Sequence, residues 1–213
     1  MSDSASFVEA MIRYGVLRFG DFTLKSGRRS PYFFNLGAIA DGEGLAALGR
    51  AYARTLVNSG LSFDVIFGPA YKGIPIAVAT AVALQQVHNR NVGVTFNRKE
   101  AKQHGEGGAL IGQALRGRVV IVDDVMTAGT AVTEAVQLVT GAGATLAGVL
   151  VALDRQEAVA PGETAVMRMA AAVGAPVYAI ATLDDVIGFL DTRSDYADSL
   201  ADIRAYQRDH CVA

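Results

Sequence analysis

Apolar residues occur along this chain in two alternating arrangements. Short unbroken runs predict strands buried on both faces at Val65 to Gly68, Val92 to Asn97, Val119 to Asp123, Leu146 to Leu153 and Val177 to Thr182. Between these runs the spacing turns helical. Leu45, Leu48, Tyr52 and Leu56 share the face of a helix that starts near Gly42 and stops at Asn58-Ser59-Gly60, and further helices are predicted over Ile74 to Gln86, Thr130 to Thr140 and Thr164 to Val173. Parallel strands need crossover helices, so this order predicts an α/β fold: a five-stranded parallel sheet with helices on both faces, running to about residue 190.

The two ends read differently. Ser4 is placed to cap a helix through Tyr14 with Phe7, Ala10, Met11 and Tyr14 on one face. Two short strands follow, Phe19 to Lys25 and Tyr32 to Asn35, joined by the turn-rich Ser26-Gly27-Arg28-Arg29-Ser30-Pro31. We therefore expect one domain over 1–213, with a small hood (about 1–41) set apart above the crevice, an α/β core (about 42–190) and a helical tail (about 191–213). Arg98 to Gly112 contains Lys99, Lys102, His104, Glu106, Gly105, Gly107 and Gly108, too polar and glycine-rich to pack, and is expected to be a mobile loop.

Composition narrows the classes. With 51% hydrophobic and 19% charged residues, the chain is expected to build a generous core rather than stay disordered. A net charge of −2 gives no general attraction to nucleic acid. The cations are nonetheless clustered, Lys25, Arg28 and Arg29 early and Arg98, Lys99 and Lys102 mid-chain, which suits a small polyanionic ligand. The lone cysteine, Cys211, allows neither an intramolecular disulfide nor a Cys/His metal site and fits a reducing compartment. The start Met1-Ser2-Asp3-Ser4 lacks a signal pattern, and the longest apolar stretch, Gly73 to Val87, is shorter than a membrane span. A cytoplasmic protein with no membrane partner is expected.

The candidate chemistry lies at two strand ends. In Val119-Val120-Ile121-Val122-Asp123-Asp124-Val125-Met126-Thr127-Ala128-Gly129-Thr130-Ala131, a buried strand ends on two acids, then a small-residue turn opens a helix. Ligands of parallel α/β sheets sit beyond the carboxyl ends of strands, and amides opening a helix suit a phosphate. Carboxylates repel phosphate, so Asp123 and Asp124 read as acceptors for sugar hydroxyls beside it. Together they describe a phosphorylated ribose. Gly68-Pro69-Ala70-Tyr71-Lys72-Gly73 follows another strand, and its amides with Lys72 offer a second anion site. The Arg98 to Gly112 segment can bring Lys99, Lys102, His104 and Arg98 to negative charge that builds on a departing group, and can exclude water as it closes.

The Asp-Asp run resembles the phosphoribosyl pyrophosphate (PRPP) signature of type I phosphoribosyltransferases. Leu24 to Asn35, Gly68 to Gly73, Asn97 to Gly108 and Asp154-Arg155-Gln156-Glu157 are similar, in order, to motifs of the orotate phosphoribosyltransferase family. Departures are small: Met126 replaces a usual β-branched residue and Gln103 a common acid. The resemblance implies transfer of phosphoribose from PRPP to N1 of orotate. Lys25, Tyr71, Lys72, Arg98, Lys99, Lys102 and His104 would then serve the pyrophosphate. Asp123, Asp124, Val125, Met126, Thr127, Ala128, Gly129, Thr130 and Ala131 would hold ribose and 5′-phosphate. Phe33, Phe34, Thr127 and Arg155 would meet orotate, and Lys102, His104, Asp123 and Asp124 would carry catalysis. It also implies a homodimer whose Arg98 to Gly112 loop acts in trans; with no decarboxylase domain expected after residue 213, a fused synthase is not expected. Mg2+ is expected as cofactor, held mainly by substrate oxygens rather than by protein metal ligands. Two rivals share the fold: another base phosphoribosyltransferase, which the Arg155 carboxylate partner disfavours, and a non-catalytic PRPP-sensing regulator, disfavoured by the intact loop.

Overall fold

Residues 2–24, 26–98, 109–126 and 129–212 are described by a computed structural model. Helix α1 (Asp3–Arg13) is followed by the antiparallel hairpin β1 (Leu17–Thr23) and β2 (Arg29–Phe34), then by α2 (Gly42–Asn58). Alternation begins with β3 (Val65–Gly68), α3 (Gly73–His88) and β4 (Gly93–Asn97). Next come β5 (Leu110–Gly112), β6 (Arg118–Val125), α4 (Thr130–Gly141) and β7 (Thr145–Asp154). A small ribbon, β8 (Ala158–Ala160) and β9 (Glu163–Thr164), leads to α5 (Ala165–Val173), β10 (Val177–Thr182), α6 (Leu183–Asp191) and α7 (Ala197–His210).

The main sheet has the order β10-β7-β6-β3-β4-β5. The five apolar runs form its five parallel strands, as their pattern predicts. A sixth strand corrects the expectation: β5, antiparallel to β4, occupies part of the stretch read as loop. The open edge of β4 supplies the reason, since its backbone groups need partners; Gln113 donates its N–H to the Val94 carbonyl at 2.9 Å and Arg98 to that of Ala109 at 2.7 Å. Leu110 and Ile111 are too short an apolar run to announce a strand.

Alternate residues of the central strands enter different cores. Ile66, Val120, Val122, Leu150 and Ala152 pack under α2 and α3, while Val65, Phe67, Val119, Ile121, Val149 and Val151 pack under α4 and α5. The hairpin is not set apart. Its inward residues Leu17, Tyr32 and Phe34 belong to the first of these clusters, with Phe7 and Met11 of α1 and Ile203 and Tyr206 of α7. One cap also differs from expectation. Ser2, not Ser4, caps α1 by accepting from the Ala5 N–H at 3.1 Å, and Ser4 instead donates to Asp185 at 2.7 Å. Thr182 both ends β10 and caps α6 in a capping box with Asp185, so no loop marks that helix in the sequence. Among the described residues no helix is long and apolar enough to cross a membrane.

One buried bond ties the helical layer to the end of β6. Tyr52 of α2 is fully buried, and its hydroxyl donates to the Asp123 carbonyl at 2.6 Å. Burial, followed by the charges of Asp124 and Asp123, pushes that hydroxyl's pKa upward, so it stays a donor. Tyr52→Phe should cost about 1–2 kcal/mol, seen as a Tm lower by roughly 2–8 °C in calorimetry, because a buried carbonyl loses its partner. An unchanged Tm would show that the bond adds nothing net.

Candidate active site

β6 stays dry until its last residues. Val119 to Val122 are fully buried, and Asp124, at 8% exposure, is nearly so. Local amides partly satisfy the two acids: Asp124 donates its N–H to Asp123 Oδ1 at 2.9 Å, and Val125 donates to Asp124 Oδ1 at 2.7 Å. The other oxygen of Asp124 is 2.6 Å from Lys72 Nζ. Met126 is buried; beyond the turn, Gly129 (φ 72°) precedes α4, whose N-terminus carries no side-chain cap. Those first amides, with exposed Thr130 and Ala131, are left for an anion.

Lys72 comes from the neighbouring strand end. Register places Phe67 of β3 beside Ile121 of β6, so the loops following each strand open into one crevice. The β3 loop folds back tightly, Gly73 donating its N–H to the Pro69 carbonyl at 2.9 Å. A Cβ on Gly68 would lie 2.2 Å from the Gly73 carbonyl oxygen, so a side chain there would force the turn apart. The Ala70–Tyr71 peptide is cis. Ala70 donates its N–H to Asn97 Oδ1 at 2.8 Å, which fixes this loop to the end of β4. Beside it lies an open cavity of about 620 Å³ lined by Pro69, Ala70, Asn97, Arg98 and Ala131.

Arg155 follows β7 and is almost buried. Its guanidinium lies 4.3 Å above the Tyr32 ring, with Nε 2.7 Å and Nη2 2.6 Å from Glu157 Oε1 and Nη2 3.3 Å from Ser30 Oγ. Burial opposes its charge, but Tyr32, Glu157 and Tyr206 outweigh that and its pKa is raised.

A crevice with acids on one strand end, a lysine on the next and a buried arginine beyond matches what known proteins show. The phosphoribosyl transferase domain family matches residues 35–178. The orotate phosphoribosyltransferase of Salmonella newport is 54% identical over 206 residues, 97% of both chains. The chain belongs to the orotate phosphoribosyltransferase family. The crystal structure of the Francisella tularensis orotate phosphoribosyltransferase superposes with a TM-score of 0.86 at 35% identity, covering 97% of this chain and 99% of that one. The fold also matches the Mycobacterium tuberculosis H37Rv orotate phosphoribosyltransferase in complex with PRPP, with a TM-score of 0.65 at 24% identity over 87% of this chain and 99% of that one. As an orotate phosphoribosyltransferase, the enzyme transfers the phosphoribosyl group of PRPP to N1 of orotate, giving orotidine 5′-monophosphate and pyrophosphate in pyrimidine synthesis.

The structure brings Lys72, Asp123 and Asp124 together, and sets Arg155 against β2. Val125 is half-buried, Tyr71 is exposed, and Arg98 closes a backbone bond to Ala109. Lys25, Lys99, Lys102, His104, Thr127 and Ala128 lie outside the described residues. Phe33 and Phe34 do not form two walls of one slot. Neighbours on a strand point to opposite faces: Phe34 is buried in the core, whereas Phe33 stacks on Phe22 at 5.5 Å beneath Arg18. Asn97, Ser30 and Glu157 take part in the site without having been singled out in the sequence. Asn97 had one signal, a polar residue closing an apolar strand.

Burial, then the charge of Asp124, pushes the Asp123 carboxyl from 3.8 up to about 6, against the Asp124 amide and Lys72, which pull it down. The folded enzyme thus holds this proton more tightly than the unfolded chain. Stability is lost as pH rises from the unfolded value through about 6, and the charged form remains a burden above it. At about 1.4 kcal/mol per unit, Asp123→Asn should stabilise the ligand-free enzyme by about 1–3 kcal/mol at pH 8. In thermal melts its advantage should shrink as pH falls toward 4. A variant melting below its parent at pH 8 would show that the ionised carboxylate is stabilised in the fold.

Proposed function

We propose that the β3 and β6 loops divide PRPP between them. The observation that carries this reading is the Lys72–Asp124 pair, 2.6 Å apart and joining the two strand ends across the crevice. Asp123 and Asp124 accept the ribose hydroxyls, and the Met126 to Ala131 turn, with Val125 before it and Thr127, Ala128, Gly129 and Thr130 within it, cradles the 5′-phosphate. When a ribose hydroxyl takes Asp124, Lys72 is released toward the pyrophosphate, where Tyr71 and Lys25 join it. Paired loops in this order suit a ligand with phosphate at one end and pyrophosphate at the other.

Orotate is a flat carboxylate, and Arg155 with Thr127 is assigned to it. Phe33 and Phe34 act on the base through the strand they build, since β2 also supplies the Tyr32 ring and Ser30 hydroxyl against which Arg155 rests. Arg98, Lys99, Lys102 and His104 neutralise the departing pyrophosphate and keep water from the ribosyl centre, acting across a homodimer. Among the described residues there is no cluster of three or more His, Cys, Asp or Glu to hold a metal. The Asp123–Asp124 pair alone fits a Mg2+ that takes most of its ligands from substrate and water; bound there, Mg2+ would neutralise pyrophosphate charge. No covalent nucleophile is invoked; positioning, charge neutralisation and water exclusion carry the rate in a cytoplasmic enzyme.

An orotate- and PRPP-dependent absorbance assay with Mg2+ tests the chemistry, and two sets of variants test the loop. Lys102→Ala and His104→Ala should lower the rate by orders of magnitude with Tm nearly unchanged; a large fall in Tm with activity per folded molecule preserved would make the segment structural.

If Lys102 serves the partner's site, a mixed dimer of Lys102→Ala and Asp124→Asn subunits has one site with both defects and one intact. Mixing two nearly dead enzymes under subunit exchange should restore up to about a quarter of wild-type activity, a consequence of two-fold symmetry. No recovery, with exchange verified, would place the loop over its own subunit's site.

A further inference from the structure

Glu157 is where three separate parts of the chain meet. Its Oε1 accepts from Arg155 Nε at 2.7 Å and from the Tyr206 hydroxyl of α7 at 2.6 Å, while Oε2 faces Nη1 of Arg28, in the β1–β2 turn, at 3.3 Å. The backbone beside it is fixed as firmly. Gln156 sits at φ 53°, a left-handed conformation unusual for a residue with a side chain. It is held there on every side. Its N–H donates to Asp154 Oδ1 at 2.8 Å, its side-chain amide exchanges hydrogen bonds with Asp184 at 2.8 and 2.9 Å, and its carbonyl accepts from Val212 N–H at 2.9 Å. Glu157 itself bridges to Cys211 in the last residues of the chain.

These bonds matter because the ion pair is not on the surface. Side-chain exposure is 10% for Arg155 and 22% for Glu157, so removing the carboxylate would leave a guanidinium mostly out of water without its counter-charge. A fully solvated pair would contribute little. Arg155 has a planar fork whose aim decides what it can recognise, and here that aim is set by Glu157 on one side and the Tyr32 ring on the other. The same carboxylate anchors Arg28, and with it the turn in which Leu24 N–H donates to the Arg28 carbonyl at 2.9 Å.

We infer that Glu157 is a positioning residue for orotate: with Tyr206 it fixes the direction of Arg155 and the seat of the β1–β2 turn, making α7 and the C-terminal residues part of base recognition although they touch neither substrate. The inference rests on the assignment of Arg155 to orotate. Apart from Lys25 in the β1–β2 turn, PRPP is served by the β3 and β6 loops, so this cluster should bear mainly on orotate.

Steady-state kinetics on the full-length enzyme separate the two substrates. Glu157→Gln, which keeps an acceptor but removes the charge, should raise KM for orotate about 3- to 10-fold and leave KM for PRPP within about 2-fold. Tyr206→Phe, the loss of one oxygen, should act in the same direction more weakly and guards against a Glu157 variant that fails to fold. Arg155→Ala should raise orotate KM further, and adding Glu157→Gln to it should change orotate KM no more, since a residue that works through Arg155 has nothing left to position. If Arg155→Ala raises orotate KM while Glu157→Gln and Tyr206→Phe leave it unchanged, the positioning role is overturned and the assignment of Arg155 stands. If Arg155→Ala itself leaves orotate KM unchanged, that assignment fails and the inference falls with it. Equal changes in both KM values alongside a lower Tm would show Glu157 to be merely structural.

Discussion

A strand that is dry on both faces must reach water at its end, and β6 does so through two adjacent carboxylates. Val119 to Val122 leave no room for solvent, so Asp123 and Asp124 emerge from the sheet still half-enclosed. Two acids placed so close repel, and burial adds to the penalty. The surroundings are arranged to offset it: two backbone amides, and Lys72 from the neighbouring strand end. Acidic oxygens, a half-exposed cation and open helix amides thereby come within one crevice. The energetic difficulty of ending β6 is thus what gathers these groups in one place.

The parts of the fold that showed in the sequence were those where one strand or helix is enough to betray itself. The continuous apolar runs of β3, β6 and β7 read as strands of a doubly covered sheet, and the acids after Val122 stand out because the four residues before them are all apolar. What stayed hidden depends on partners far away in the chain. β5 exists because β4 has an edge to satisfy, α6 because Thr182 serves strand and helix at once. Phe33 and Phe34 look like a pair in the sequence, yet a strand sends them to opposite sides. Arg155 reads as an isolated cation until Tyr32 and Tyr206, from opposite ends of the chain, are seen beside it.

That meeting of the ends shapes the whole molecule. α1, the hairpin and α7 share one apolar cluster with the sheet, so the segment expected to hover over the crevice is instead part of the body that frames it. The surroundings of Arg155 are consequently built from β2, the β7 turn and the C-terminal residues, whereas Lys72, Asp123 and Asp124 stand on loops at strand ends. A flat aromatic acid gains from a fixed fork; a flexible diphosphate gains from backbone that can close around it.

The ladder between β4 and β5 has a consequence for how this enzyme can change over time. The chain leaves the sheet at Arg98 and rejoins it at Ala109, and those two residues are bonded to each other. Whatever lies between starts and finishes at one fixed doorway, so the closure entropy of the excursion depends only weakly on its length. The register on either side is set by the β4–β5 pairs themselves, Thr95 with Gly112, Phe96 with Ile111 and Asn97 with Leu110. Sequence change in this stretch is therefore separable from the strand pairing that bounds it, much as a tool bit can be exchanged without rebuilding the handle.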